Sequence, residues 1–184
     1  TTRMQGGVFQ APVDVSTPFA PGHVCDCCPN QVLASGSTVV PLYRNAGPNI
    51  RVMYGAVSQD GGDSYPVGGL LDPTAWSLFA CPSSGPDGYI AGDSVRYVWM
   101  SGALNGTKAY LASASLTDLT HTQALRVLAG QPSSTQQNYP RIAGSGDCHF
   151  RDEQVVWRIS CAARHQPVSG QGRAHRYLRP LGIG

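Results

Sequence analysis

Apolar and polar residues alternate in short runs along most of this chain, and residues that favour turns separate the runs. Alternation with a period of two is typical of β-strands, and clusters of Gly, Pro, Asn and Asp mark the turns between them. The pattern therefore predicts an all-β protein. Its strands are expected at residues 8–15, 31–34, 38–44, 50–58, 66–71, 88–100 (a pair of strands), 108–115, 125–128 and 155–157.

The strand pattern also recurs, which indicates an internal repeat. Its successive starts, at Pro29, Pro86 and Pro140, are about 55 residues apart, a suitable length for a unit that forms one small antiparallel sheet. The best-matched segments are 30–42 with 88–100 and 51–58 with 108–115.

A turn with distinctive spacing lies between the strands at 50–58 and 66–71. Gly61 and Gly62 supply the positive φ that a tight turn needs. Asp60 is expected to accept backbone N–H groups of the turn, with Ser58 and Ser64 doing so more weakly. The aromatic residue that follows is expected to anchor the returning strand in apolar packing. Residues 58–65 are therefore predicted to form a hairpin.

The spacing Ser-x-Asp-x-Gly-x-Ser-aromatic resembles the Asp-box of sialidase-like (BNR-repeat) β-propellers. It is carried by Ser58, Asp60, Gly62, Ser64 and Tyr65. In that family the box is a structural hairpin away from the active site. Residues 115–121 lie where a second box would fall but lack its glycines. The motifs Cys-Asp-Cys-Cys-Pro and Trp-x4-Cys-Pro extend the similarity to bacterial extracytoplasmic members, over residues 8–147.

The resemblance implies antiparallel four-stranded blades, and the chain has material for about three of them. Residues 1–147 are accordingly expected to form a partial β-propeller, and residues 148–184 an irregular, extended arm. This arm is basic, with six Arg against two acidic residues, whereas the body has seven basic and nine acidic residues. We expect a solvated or partner-docking arm and no nucleic-acid partner.

Composition agrees with a β-rich domain. The chain has 22 Gly and 14 Pro in 184 residues, but Lys108 is its only Lys and Glu153 its only Glu, so residues typical of helix surfaces are scarce. No apolar run approaches the roughly 18 residues of a membrane span. No signal peptide is visible, which is expected of a mature or trimmed N-terminus.

Six cysteines indicate either disulfides or a metal site. An even number favours an oxidising, extracytoplasmic compartment with disulfides, in which Cys81 would join its own loop to the earlier cysteine loop. Thiolates would instead suit zinc or copper(I), with His23 as a further ligand. We interpret the run Cys-x-Cys-Cys as lacking the Cys-x2-Cys spacing of structural zinc sites. This interpretation favours disulfides over a metal site. The disulfide candidates are Cys25, Cys27, Cys28, Cys81, Cys148 and Cys161, and the first four are also the metal candidates.

A sialidase active site cannot be assembled from the sequence. By resemblance it would need three Arg for the substrate carboxylate, a Tyr with a Glu partner, and an Asp acid. The only Glu lies in the arm, so we predict no catalytic residues and no cofactor. The arginines on or near predicted strands are Arg44, Arg51, Arg96 and Arg141.

These observations favour a non-catalytic, extracytoplasmic interaction or assembly subunit of a larger complex, including one on the periplasmic face of a membrane. A partial propeller has open sheet edges, which other subunits or a second copy would cover. The alternatives are a divergent sialidase-like glycoside hydrolase fragment and a metal-binding module built on the cysteines.

Overall fold

The computed structural model describes residues 1–103, 106–127 and 138–143, and the backbone alone of residues 147–151 and 156–160. These residues form antiparallel β-structure throughout, which confirms the predicted all-β fold. Among them, no helix has the length and apolar character needed to cross a membrane. The strands are β1 (Met4–Gln5), β2 (Val8–Phe9), β3 (Gln31–Ser35), β4 (Thr38–Arg44), β5 (Met53–Val57), β6 (Val67–Leu70), β7 (Asp87–Ala91), β8 (Ser94–Ser101), β9 (Lys108–Ser115), β10 (Asp118–Val127), β11 (Asn138–Ile142), β12 (Asp147–Arg151) and β13 (Val156–Ser160).

Two four-stranded meanders form the body of the protein. Sheet I contains β3 to β6 and sheet II contains β7 to β10, and each strand pairs with the next along the chain. The first turn of each sheet carries a glycine with φ near 58°, Gly36 in sheet I and Gly92 in sheet II, so these residues are equivalent. The sequence alignment of the repeats had placed Gly92 opposite Ala34 and was therefore two residues out of register.

The two sheets pack face to face, with the main apolar core between them. Sheet II contributes a stack of rings in which the centroids of Tyr97 and Tyr110 lie 5.2 and 5.3 Å from that of Trp99. Tyr97 and Trp99 share a face because they are two positions apart on β8, and Tyr110 is the registered partner of Trp99 on β9. The aliphatic side of this core comes mainly from sheet I, through Leu33, Val40, Leu42, Met53, Val57 and Leu71.

Other segments of the chain cover parts of the outer faces of this pair. On sheet I, Val15 and Phe19 of the N-terminal segment pack with Tyr43, whose hydroxyl donates to the Val15 carbonyl over 2.9 Å. On sheet II, Ile142 of β11 packs with buried side chains of β8 and β9. The Ile142 N–H also donates to Asp87 Oδ2 over 3.0 Å. These segments thus cover part of the outer face of each sheet, while Val32 of sheet I and Arg96 of sheet II stay exposed on the uncovered parts.

The turn between β5 and β6 has the predicted hydrogen bonds. Ser58 Oγ donates to Asp60 Oδ1 over 2.7 Å, and it accepts the N–H of Gly62 over 2.8 Å. The backbone N–H and the hydroxyl of Ser64 donate to the Asp60 carboxylate over 3.0 and 2.6 Å. These bonds, that from Ser58 foremost, hold the pKa of Asp60 well below its usual range.

The remaining features of this hairpin are also as expected. Both Gly61 and Gly62 have positive φ, 76° and 94°. Tyr65 packs, half-buried, against the apolar residues between sheet I and the N-terminal segment. The Gly61 N–H donates to the Ser37 carbonyl over 2.8 Å, which joins the hairpin to the turn between β3 and β4. The hairpin is therefore a fixed part of sheet I rather than a free loop.

Three details differ from the sequence-based expectations. Of the strand predicted at residues 8–15, only β2 is regular strand, although Gln10 and Val13 still donate to the carbonyls of Arg3 and Thr1. The segment then runs over sheet I instead of pairing with it. The outgoing strand predicted at 125–128 is the end of a longer strand, β10, which follows β9 after the two-residue turn Leu116-Thr117.

The third difference concerns the predicted arm. Within the segment 148–184, the backbone is described for residues 148–151 and 156–160. These residues lie in β12 and β13. β12 pairs with β11 on one side and with β13 on the other. The irregular arm predicted from residue 148 was therefore wrong for 148–151 and 156–160. Both stretches alternate apolar and polar residues, and β13 overlaps the strand predicted at 155–157.

Replacing Gly62 by Ala should destabilise the fold. A φ of 94° lies beyond the left-handed region that Ala tolerates, and the new Cβ would lie 3.2 Å from Tyr65 Oη. We expect a loss of about 2–3 kcal/mol in the free energy of unfolding, measured by denaturant titration. Gly36→Ala is the matched control, because that site has φ 58° with nothing within 4 Å of a Cβ, and it should cost only about 1 kcal/mol. Equal losses for the two variants would contradict the special role of Gly62.

Candidate functional site

Four cysteines from two loops come together beside the edge of the inter-sheet core. The Sγ atoms of Cys25, Cys27, Cys28 and Cys81 all lie within 4.8 Å of one another, and we call this group the cysteine cluster. The first three belong to the loop before β3, and Cys81 belongs to the connection between β6 and β7. The cluster thus links the two sheets through their connecting loops.

The exposed pair of the cluster is a disulfide. Cys27 and Cys81 are bonded, with their Cα atoms 6.3 Å apart and a sequence separation of 54. This bond fits the prediction that Cys81 joins its loop to the earlier cysteine loop. Cys161 lies outside the described residues, and so does the side chain of Cys148, whose backbone is in β12. The predicted participation of these two residues in disulfides stays a prediction.

The buried pair of the cluster has free thiols. Cys25 and Cys28 are buried, and their Sγ atoms are 2.7 Å apart. Burial, together with the hydrogen bond from Cys25, raises the pKa of the Cys28 thiol to about 12. Cys25 and Cys28 have the Cys-x2-Cys spacing of structural zinc sites. Reading the three cysteines only as Cys-x-Cys-Cys hides this spacing. The signal was present in the sequence.

His23 is not part of the cluster. It is exposed, and its backbone carbonyl accepts the N–H of Ala46 over 2.8 Å, which ties the loop to the connection after β4. The predicted role of His23 as a fifth candidate ligand is therefore wrong for this conformation. The Ala46 side chain instead lies beside Cys25 and Cys28 and completes their apolar surroundings.

Backbone contacts hold both cysteine loops in place. The Cys25 N–H donates to the Arg44 carbonyl over 2.8 Å at the end of β4. A Cβ on Gly85 would lie 1.8 Å from the Pro29 carbonyl oxygen, so only glycine permits this approach between the two loops. The Ser83 N–H points at Cys81 Sγ over 3.3 Å. The cluster is consequently built on two loops that are anchored independently of the disulfide.

A buried arginine lies beside the cluster. Arg44 is fully buried at the end of β4, and its guanidinium donates to the backbone carbonyls of Ser84, Met100 and Arg51. It also lies over the Trp76 ring, 5.6 Å from the centroid. Burial lowers the pKa of Arg44, while the nearby Cys28, Asp72 and Cys25 oppose that shift. Arg44 therefore joins sheet I, sheet II and the loop after Cys81.

A second buried polar residue lies in the same interface. Asp72 follows β6, is fully buried, and accepts the N–H and the hydroxyl of Thr74 at Oδ1 over 2.9 and 2.6 Å. Burial raises the pKa of its carboxyl group. The hydrogen bonds from Thr74 and the nearby Arg44 and Trp99 oppose this shift. Neither Asp72 nor Arg44 was singled out for burial by the sequence, since charged residues are usually exposed.

The four arginines considered for a substrate carboxylate do not form one group of available guanidinium ions. Arg44 is occupied as described, and Arg51 donates to the carbonyls of Leu78 and Ala46 over 3.2 and 3.3 Å. Arg96 and Arg141 are exposed. Arg44 and Arg51 thus serve to hold backbone segments together.

Comparisons with protein-family models, with curated proteins and with solved structures find no match to this chain.

Replacing Arg44 by Met should destabilise the protein strongly. It would leave three carbonyl groups, those of Ser84, Met100 and Arg51, without their donor, and an unsatisfied buried polar group costs about 1–3 kcal/mol. We expect a total loss of about 3–5 kcal/mol in the free energy of unfolding, seen in denaturant titration.

Arg96→Met is the matched control for this experiment. Arg96 lies on the exposed side of β8 and makes one hydrogen bond, to Tyr89 Oη over 3.3 Å. Its replacement should change the free energy of unfolding by no more than about 0.5 kcal/mol. A similar effect of both variants would show that Arg44 does not hold the segments together.

Removing the disulfide with the double variant Cys27→Ser, Cys81→Ser should also destabilise the fold. The bond spans 54 residues, and closing a loop of that size in the unfolded chain corresponds to about 4 kcal/mol. The check is the denaturation midpoint of the oxidised native chain against that of the variant. An unchanged midpoint, or an intact mass that shows no disulfide in the native chain, would contradict the expectation.

Proposed function

We propose that this chain is a non-catalytic interaction or assembly subunit of a larger extracytoplasmic protein complex, including one on the periplasmic face of a membrane. The observation that carries the proposal is the pair of unpaired strand edges at one side of the body, where β6 of sheet I lies beside β10 of sheet II. The disulfide between Cys27 and Cys81 supports the compartment, because such bonds persist in oxidising surroundings.

The surface at these edges is apolar. Leu70 on β6 is 39% exposed, and Leu125 and Val127 on β10 are 44% and 45% exposed. A groove of about 320 Å³ runs between the two strands and is lined by Leu70, Pro73, Thr120, His121, Thr122 and Leu125. Exposed apolar side chains next to unpaired backbone groups favour the addition of another strand.

The occupant that fits this surface is an extended segment of another protein chain. Among the described residues, β6 and β10 each have a paired neighbour in their sheet on one side only, which suits the addition of a strand. The N-terminal segment and β11 already cover part of the outer faces of the two sheets, and the exposed apolar side chains of Leu70, Leu125 and Val127 lie at the edges, which favours the edges for a partner. A second copy of this chain would be one such partner.

We further infer that the fold is a shortened sialidase-like β-propeller. Two successive four-stranded meanders that stack face to face support this inference, since blades of a propeller are packed in that way. The hydrogen-bonded hairpin at residues 58–65 supports it as well.

The alternative of a divergent glycoside hydrolase is less favoured by the described residues. That chemistry needs guanidinium groups free to bind a substrate carboxylate, and those of Arg44 and Arg51 are bound to backbone carbonyls. The only Glu in the sequence, Glu153, lies outside the described residues. The use of arginine for structure supports the non-catalytic proposal.

To test the proposal, a tagged form of the full chain is isolated from its native source. The molar mass of the isolated complex is then measured by light scattering. We expect a stoichiometric assembly with other chains or a second copy. The double variant Leu125→Lys, Val127→Lys should release the chain as a monomer, because charges on an edge strand prevent pairing.

Val32→Lys is the control for these substitutions. Val32 is exposed on β3, at the opposite edge of sheet I, and its replacement should leave the assembly intact. A native chain that is a monodisperse monomer without partners would overturn the proposal. So would an assembly that persists in the Leu125→Lys, Val127→Lys variant.

A further inference from the structure

We propose that the cysteine cluster is a redox-gated metal site, in which reduction of the Cys27–Cys81 disulfide lets all four sulfurs bind one Zn²⁺ ion. The disulfide and the metal would then be alternative states of the same four residues. This inference goes beyond an interaction subunit, because it assigns a ligand to residues that the proposed docking edge does not use.

The spacing of the sulfur atoms suits a single small ion. In a tetrahedral site with Zn–S distances of about 2.3 Å, the sulfur atoms are about 3.8 Å from one another. Cys25 Sγ is 3.5 Å from Cys27 Sγ and 2.7 Å from Cys28 Sγ, and the four Sγ atoms are all within 4.8 Å of one another. All four sulfurs therefore lie within one coordination shell. To face one ion, the buried pair must separate by about 1 Å and the bond between Cys27 and Cys81 must be broken.

Three of the proposed ligands, Cys25, Cys27 and Cys28, come from one loop, and within it Cys25 and Cys28 have the Cys-x2-Cys spacing of structural zinc sites. Such sites combine a Cys-x2-Cys turn with ligands from a second, distant segment. Cys25 and Cys28 provide that turn, and the Cys28 N–H donates to the Cys25 carbonyl over 3.3 Å. Cys81 comes from the second segment and receives the Ser83 N–H at its sulfur. Backbone N–H groups directed at sulfur stabilise thiolate ligands and fix their orientation.

The charge around the cluster favours a tetrathiolate centre. Four thiolates and one Zn²⁺ carry a net charge of −2, which is costly in a partly buried position without a counter-charge. Arg44 supplies positive charge next to the buried pair, and it is held there by three backbone carbonyls. Arg44 would therefore act as a positioning residue that also balances the charge of the centre.

The disulfide state converts to the metal-bound state in two steps, reduction and then metal binding. A dithiol reductant gives two electrons and two protons to the Cys27–Cys81 bond and is itself oxidised to a disulfide, so that the cluster holds four thiols. Binding of Zn²⁺ then releases four protons as four Zn–S bonds form. In the oxidised state only Cys25 and Cys28 remain as ligands, and two thiolates do not complete a tetrahedral site.

The test is a titration of the full chain, reduced with excess dithiol and freed of reductant without oxygen, with Zn²⁺ alone against a chromophoric chelator. We expect one tightly bound Zn²⁺ per reduced chain and at least about 100-fold weaker binding by the oxidised chain. Co²⁺ in place of Zn²⁺ should give the intense sulfur-to-metal absorption of four thiolates in tetrahedral geometry. This spectrum needs no variant, so it remains decisive even if a substitution prevents folding.

The variants Cys25→Ser, Cys28→Ser and Cys81→Ser should each weaken Zn²⁺ binding at least about 100-fold. His23→Ala, Cys148→Ser and Cys161→Ser are the controls and should bind as the native chain does. The proposal is overturned if the reduced chain binds no Zn²⁺ or if the oxidised chain binds it equally well. It is overturned too if a control variant loses the metal.

Discussion

The apolar contact between the two four-stranded sheets is the interaction on which the rest of the structure depends. A single small sheet with apolar residues on both sides leaves one face in water, and burial of that face is the main driving force for its folding. Here Trp99, Tyr97 and Tyr110 from one sheet meet aliphatic side chains of the other. The loops that carry the cysteines connect these sheets, so the position of the cluster follows from the packing.

Two charged residues are buried at the margin of this contact, and they restrict how the sheets are arranged. Apolar surfaces alone allow many orientations, whereas the Arg44 guanidinium must meet three particular carbonyl groups to avoid an unpaired buried charge. Asp72 imposes a similar condition on the connection after β6, through its bonds to Thr74. The polar contacts therefore specify one packing among those that the apolar core would permit.

Local features were predicted well because their causes are local. The hairpin at residues 58–65 depends on positive φ at two glycines and on short side chains that bond to their own turn, and both can be recognised from the sequence. The strands of sheets I and II follow from alternation. The errors arose where composition was allowed to outweigh alternation, as for β12, and where alternation over residues 8–15 was interpreted as one continuous strand although only Val8–Phe9 is regular.

The sequence by itself determined the strands, the turns and the existence of a repeat, because each depends on residues that are neighbours along the chain. Tertiary structure decided which cysteines meet. Cys27 and Cys81 are 54 residues apart in sequence, and the packing of the two sheets brings their loops together. It also decided that Arg44 is a buried structural residue, because its partners come from three separate segments. The Cys-x2-Cys spacing of Cys25 and Cys28 lies between these cases: it was present in the sequence, but its significance depended on where Cys81 is placed.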